Sequence, residues 1–261
     1  MRRIKSETKA VFSLAWHIIK LPFLLLLVLF GKREFREIIS PIKDFIYEIF
    51  RPKVTIALCF LLIVTSFIGF FLQEHLFELF VNYPNDIFST RFYTILTHGF
   101  LHASLFHLLG NLLIIYIFGR VIEIEFGPKT LAFIFFIGII FAGVFSNIAN
   151  ILQGITLGGI GASGGAMALV SVAIFTRPFY FTYFFLIPLP IFVIGWISIY
   201  ADLLGAVTLT QDGIGYFAHI GGFLTTLLLY FSYFNLEEKN KIKKGFFINL
   251  ALLLVLLIVL Y

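Results

Sequence analysis

Charge is what this sequence has least of. Asp, Glu, Lys and Arg make up 13% of its 261 residues, against about 25% in an ordinary soluble domain. With 60% of the residues hydrophobic, there is too little polar surface to cover a water-soluble fold, and the bilayer is the expected solvent. Cysteine is almost missing. The lone Cys59 excludes an intrachain disulfide framework and a cysteine-based zinc site, and its place in an apolar run suits core packing. Acidic residues are outnumbered, 14 against 19 Lys and Arg. The resulting charge of +5 does not describe a nucleic-acid surface, because the basic residues cluster at 2–9, 32–53 and 239–244, flanking apolar segments. A small-residue cleavage site is also lacking after the apolar stretch Leu21–Phe30; Lys32 and Arg33 follow instead, so no cleaved signal peptide is expected.

What is present is a series of apolar runs of membrane-spanning length. Runs of roughly 17–25 residues mark transmembrane helices, and they are read here near 54–73, 103–119, 130–150, 162–176, 183–201, 214–234 and 245–261. The second and fourth begin with polar or small residues, as expected of segments that line a cavity. Segment 11–30 is interrupted by His17, Lys20 and Pro22 and reads as an interfacial helix. Basic connections (32–53, Arg120 with Lys129, Arg177, and Lys239 to Lys244) alternate with acidic or uncharged ones (Glu74, Glu78 and Asp86; 147–160; Asp202 with Asp212). Each turn agrees with a cytoplasmic N-terminus and a multi-pass topology, for which the cell membrane is the expected site. The expected organisation is a basic N-terminal segment over 1–50, a membrane core over 51–236 and an extra C-terminal helix over 237–261.

Inside this apolar chain stand two short polar motifs. Gly161-Ala162-Ser163-Gly164 places a serine where a glycine-rich loop becomes a helix, so that free backbone N–H groups lie beside it. Ala218-His219-Ile220-Gly221-Gly222 places a histidine among small residues that let a second helix approach. In the topology above, Ser163 begins its helix just below the outer surface. His219 lies roughly 6–10 Å into an inward-running helix, so the two share a depth. A neutral imidazole there can take the serine proton. No carboxylate is expected as a third member, since Asp212 and Asp202 both read as charges of an outer loop. The residues alone also allow simpler roles: small-residue helix packing for the Gly161–Ala168 face, and a backbone hydrogen bond for His219.

A third cluster holds His98, His102, His107 and Asn111. His98 and His102 are four apart, as are His107 and Asn111, and each pair can share a helix face. No acidic residue accompanies them and no H-E-x-x-H pattern is present, so no metal site is expected. His107 and Asn111 can instead donate hydrogen bonds to a developing oxyanion, or form a polar network that holds a loop onto helix ends.

Taken in order, His102-x4-His107-x3-Asn111, Gly119-Arg120-x2-Glu123-x3-Gly127, Gly161-x-Ser163-Gly164 and Ala218-His219-x2-Gly222 resemble the motifs of the rhomboid family of intramembrane serine proteases. The resemblance runs from about His98 to Gly222. It implies an all-α membrane protein, a six-helix transmembrane bundle with a seventh helix at the C-terminus and an interfacial helix at the N-terminus. It further implies Ser163 as nucleophile and His219 as general base. His107, Asn111 and the Ser163 N–H would form the oxyanion hole, with Gly161 and Gly164 lining the substrate site. His102 would hold a loop, Arg120 and Glu123 would organise the cytoplasmic ends, and Gly222 would let the histidine helix approach. There are departures. Tyr93-Thr94, with Arg91 nearby, stands where Trp-Arg is common. Met167 takes the place of an aromatic residue that stacks on the histidine, and Thr226 that of a glycine.

The activity so implied is cleavage of other proteins' transmembrane helices near the outer face of the bilayer. It needs no cofactor, and its partners would be membrane-spanning substrates and the lipid itself. A binding-only rhomboid-like chaperone or adaptor is the alternative. A histidine-relay transporter is disfavoured by the lack of paired broken helices and of intramembrane carboxylates.

Overall fold

The computed structural model describes residues 4–71, 77–184, 187–208 and 215–260. Glu74 and Asp212, two of the charges used to orient the chain, lie outside the described residues. The chain is an all-α membrane protein. Its helices are α1 (Ile4–Leu29), α2 (Phe35–Phe50), α3 (Lys53–Phe70), the single turn α4 (Thr94–Thr97), α5 (Leu105–Phe126), α6 (Pro128–Leu152), α7 (Ser163–Thr176), α8 (Ile191–Thr208), α9 (Tyr216–Ser232) and α10 (Leu236–Leu260). Among the described residues α3, α5 and α6 are long and apolar enough to cross a bilayer by themselves, and shorter apolar helices occupy 163–176, 191–204 and 216–232.

Local chemistry sets the helix boundaries. Ser104 caps α5 by accepting the His107 N–H at 3.2 Å. That helix ends at Gly127, whose φ of +89° suits only glycine, and Pro128 opens α6 at once. The start of α3 is capped from another helix. The Glu123 carboxylate on α5 accepts the Val54 and Thr55 N–H groups at 3.0 and 2.8 Å and the Thr55 hydroxyl at 2.7 Å.

The expected span over 183–201 is displaced. Phe181–Phe184 and Ile187–Pro190 form an antiparallel hairpin, β1 and β2, with Phe181 opposite Pro190. Aromatic and β-branched residues favour strand, and Pro188 and Pro190 lack the N–H a helix interior needs. Helix α8 therefore starts at Ile191 and runs past residue 201 through the apolar stretch Leu203 to Val207. The basic 32–53 connection is also not a simple loop, because most of it is α2. This helix packs on α1, His17 Nε2 donating to the Ile38 carbonyl at 2.8 Å. The C-terminal helix likewise begins earlier than 245, at Leu236.

Helix α7 is the axis of the bundle. From Gly164 to Ile174 every residue is buried, and α5, α6, α8, α9 and α10 all pack on it. At 1.5 Å per residue its 14 residues span about 21 Å, roughly 10 Å short of a 30 Å hydrocarbon core. Its far end is held at a charged cluster. Arg177 donates to Glu125 at 2.6 and 2.9 Å, and Lys241 of α10 reaches the same carboxylate at 3.2 Å.

Candidate active site

The glycine loop ahead of Ser163 is pinned to the polar segment between α3 and α5 at three points. Asn82 and Gly159 exchange backbone hydrogen bonds at 3.0 and 2.9 Å. The Gly161 N–H donates to the His98 carbonyl at 2.9 Å. The Ala162 N–H donates to His102 Nε2 at 3.3 Å. This last contact fixes the tautomer of His102. Its Nε2 accepts, so Nδ1 carries the proton and donates to Ser66 Oγ at 2.8 Å. His98 donates through Nδ1 to the Thr94 carbonyl at 2.8 Å. Both imidazoles lie in the segment connecting the spanning helices. Burial pushes both below their ordinary pKa, His102 to about 3 with a further contribution from His107, which agrees with the neutral form the hydrogen bonds require. His98 and His102 do not share a helix face as the spacing suggested: His98 opens a 3-10 turn and His102 lies in the extended stretch before α5.

The segment that holds this loop is itself braced where the family departures fall. Arg91 donates to the Glu78 and Val81 carbonyls, both at 2.9 Å, and to Asp86 at 3.1 Å. Thr94 is fully buried, with its hydroxyl 2.8 Å from the Arg91 carbonyl. Tyr93 donates to the Leu79 carbonyl at 3.0 Å. Asn82 and Asn147 exchange amide hydrogen bonds at 3.1 and 3.0 Å, fastening the segment to α6.

His107 and Asn111 share a face of α5, the Asn111 amide donating to the His107 carbonyl at 2.9 Å. The His107 ring meets the His102 ring edge-on, with centroids 5.0 Å apart. It also covers Gly161, where a Cβ would stand 2.6 Å from His107 Cε1 and where φ is +126°. No other residue fits that position.

Ser163 is half-buried at the first position of α7. The first hydrogen bond of that helix runs from the Ala166 N–H to the Ala162 carbonyl, so the Ser163, Gly164 and Gly165 N–H groups precede the intrahelical ladder. Helix α9 crosses α7 at this point. Gly222 sits directly on the Gly164 carbonyl, and a Cβ on Gly164 would lie 3.8 Å from the Ala218 carbonyl. The residues next to these contacts are Ser163 and His219. One level deeper, Met167 is buried one turn along α7 from Ser163. Below it Ser171 shares a 2.5 Å hydrogen bond with Thr226, so the threonine in place of glycine joins the two helices by its hydroxyl.

Two expected residues belong to the far end of the bundle. Glu123 caps α3 as described, and Arg120 lies over the Tyr116 ring, 5.5 Å from its centroid.

One expectation is overturned. Asp202 is no loop charge. It lies within α8, 9% exposed, and its Oδ1 is 2.7 Å from His219 Nδ1. The displaced start of α8 carries the helix past residue 202, and the aspartate then meets the neighbouring helix. The sequence held a usable signal, since a single acid followed by Leu203, Leu204 and three further small or apolar residues is as anomalous in a membrane helix as the serine and histidine.

A Rhomboid domain profile matches residues 89–236, more than half of the chain. The chain belongs to the rhomboid family. The matched region begins just ahead of the histidine segment and ends just after α9, so it contains His98, His102, His107, Asn111, Ser163, Asp202 and His219. Over 167 residues the chain is 29% identical to RHOMBOID-like protein 12, mitochondrial, of Arabidopsis thaliana. That alignment takes in 58% of this chain and 49% of the plant protein, so the chain spans about half the length of this relative.

Proposed function

We propose that this rhomboid is an intramembrane serine endopeptidase in which Ser163 is the nucleophile and His219 the base. The observation that supports the reading is the close crossing of α7 and α9, where Gly222 approaches the Gly164 carbonyl, Gly164 following Ser163 on one helix and Gly222 lying one turn beyond His219 on the other. His219 Nε2 takes the Ser163 hydroxyl proton as Oγ attacks a substrate carbonyl carbon. Negative charge gathers on the carbonyl oxygen, where the Ser163 N–H and the His107 and Asn111 side chains supply donors. The tetrahedral intermediate collapses as its C–N bond breaks, the imidazolium delivers the proton to the departing amine, and an ester on Ser163 remains. A water molecule deprotonated by His219 then hydrolyses that ester. No cofactor enters the cycle. His102 and Gly161 act by holding the loop, and Met167 packs beneath the nucleophile.

The substrates in this reading are transmembrane helices of other proteins, reached laterally through the bilayer and cleaved near the outer face. The basic flanks support a cytoplasmic N-terminus in a cell membrane, with α1 at the interface.

The test is cleavage of single-span membrane proteins in proteoliposomes by the wild type, Ser163→Ala and His219→Ala. The expected result is cleavage by the wild type and loss in both variants. Cleavage that persists in Ser163→Ala overturns the mechanism. A folded wild type that binds but never cleaves replaces the protease with the chaperone or adaptor reading.

A further inference from the structure

Resting on that reading, we infer that Asp202 is a positioning residue of the same site, making the serine–histidine pair a three-residue relay carried by the consecutive helices α7, α8 and α9. A carboxylate only accepts hydrogen bonds, so the 2.7 Å contact puts the proton of the neutral imidazole on Nδ1 and leaves Nε2 as the basic nitrogen. That is the tautomer the serine proton requires.

The placement of Asp202 on its helix is the second observation. Ile197, Tyr200, Leu203 and Leu204 are 63%, 69%, 49% and 51% exposed and form the lipid side of α8. Asp202 lies on the inner face with Ile194, both buried. An acid within an apolar helix costs free energy at every depth of the hydrocarbon region, and a position aimed at one histidine is the signature of a functional group. When Ser163 gives its proton to Nε2, the imidazolium so formed faces a carboxylate already in place. The carboxylate keeps its charge throughout. The proton moves from Ser163 to His219 and on to the departing amine, and Asp202 neither gains nor loses one.

Asp202→Asn separates this role from a structural one. The amide has the same shape, yet it can donate to Nδ1 and so favours the unproductive tautomer. The experiment measures kcat and KM for a single-span substrate in proteoliposomes, together with the rate at which a fluorophosphonate labels Ser163. It uses wild type, Asp202→Asn and Asp202→Glu, each verified as folded by its thermal unfolding midpoint in detergent. The expected result is a fall in kcat of about 100-fold or more for Asp202→Asn with KM within about threefold, and a parallel fall in labelling. Asp202→Glu, which keeps an accepting carboxylate, should recover part of the rate. A kcat for Asp202→Asn within about threefold of wild type overturns the inference. Wild type that neither cleaves nor labels overturns the protease reading itself. In that case the 15N spectrum of His219 still decides the role of Asp202: the Nδ1–H form in wild type and the Nε2–H form in Asp202→Asn support it, and an Nε2–H wild type refutes it.

Discussion

Single residues in this site are constrained by backbone geometry as much as by chemistry. Gly161 combines a φ of +126° with the His107 ring against its α-carbon. A methyl group there meets both penalties, and backbone strain of this kind costs about 1–3 kcal/mol. Gly161→Ala is therefore expected to slow fluorophosphonate labelling of Ser163 by tenfold or so, because relief requires the loop or the histidine to move. An unchanged labelling rate would show that the loop tolerates the shift. His102 illustrates the same point differently. Its two ring nitrogens are engaged by Ser66 and the Ala162 N–H, which leaves it a bracket for the loop and removes it from acid–base chemistry. Both residues were visible in the sequence as members of motifs. The reason for each is the neighbour it touches, and neighbours some 60 residues apart in the chain are not written in a spacing.

At the level of helices, the site depends on one close crossing. Helix α7 opens with Ser163 and is packed on by five others, so its axial position is fixed from all sides. The close approach of α9 to it requires a small residue at 222, since glycine there already contacts the Gly164 carbonyl. A larger side chain must push the two helices apart, moving His219 with them. Gly222→Leu is expected to abolish cleavage, and the loss should exceed that of Gly222→Ala. Proteolysis of a single-span substrate checks the order, and equal activity in the two variants would disprove the contact. The Ser171–Thr226 hydrogen bond ties the same pair of helices further along. A glycine at 226 would offer proximity in place of that bond.

Across the whole molecule, polar contacts at the far end of the bundle tie its helices together. Glu125 gathers Arg177 and Lys241 and so joins α5, the end of α7 and α10. Nearby, Asn249 of α10 donates to the Ile174 and Gly245 carbonyls at 2.9 and 2.8 Å and accepts the Trp196 indole N–H at 2.9 Å. Helix α10 is thus an integral wall of the bundle. Asn249→Leu removes these bonds from a buried position and is expected to lower stability by about 1 kcal/mol. Truncation after Asn235 should lower it further, as read by the unfolding midpoint in detergent. A truncated chain with the wild-type midpoint would show that α10 contributes no support.

Hydrophobic run length, flanking charge and motif order are properties of a one-dimensional string. From them alone follow the membrane class, most of the apolar helical segments though not all their bounds, and the choice of Ser163, His219, His107 and Asn111 as the residues to watch. The extra helix α2, the hairpin before α8 and the cap that Glu123 provides for α3 were not legible there, because each depends on a partner distant in sequence. Asp202 shows why most sharply. Successive residues of an α-helix turn by about 100°, so moving the start of α8 by one or two positions would swing the aspartate from His219 towards lipid. The composition of α8 permits either outcome. Its rotation is decided by the hairpin that starts it and by the packing of α7 and α9 against it, and that packing exists only in the folded bundle.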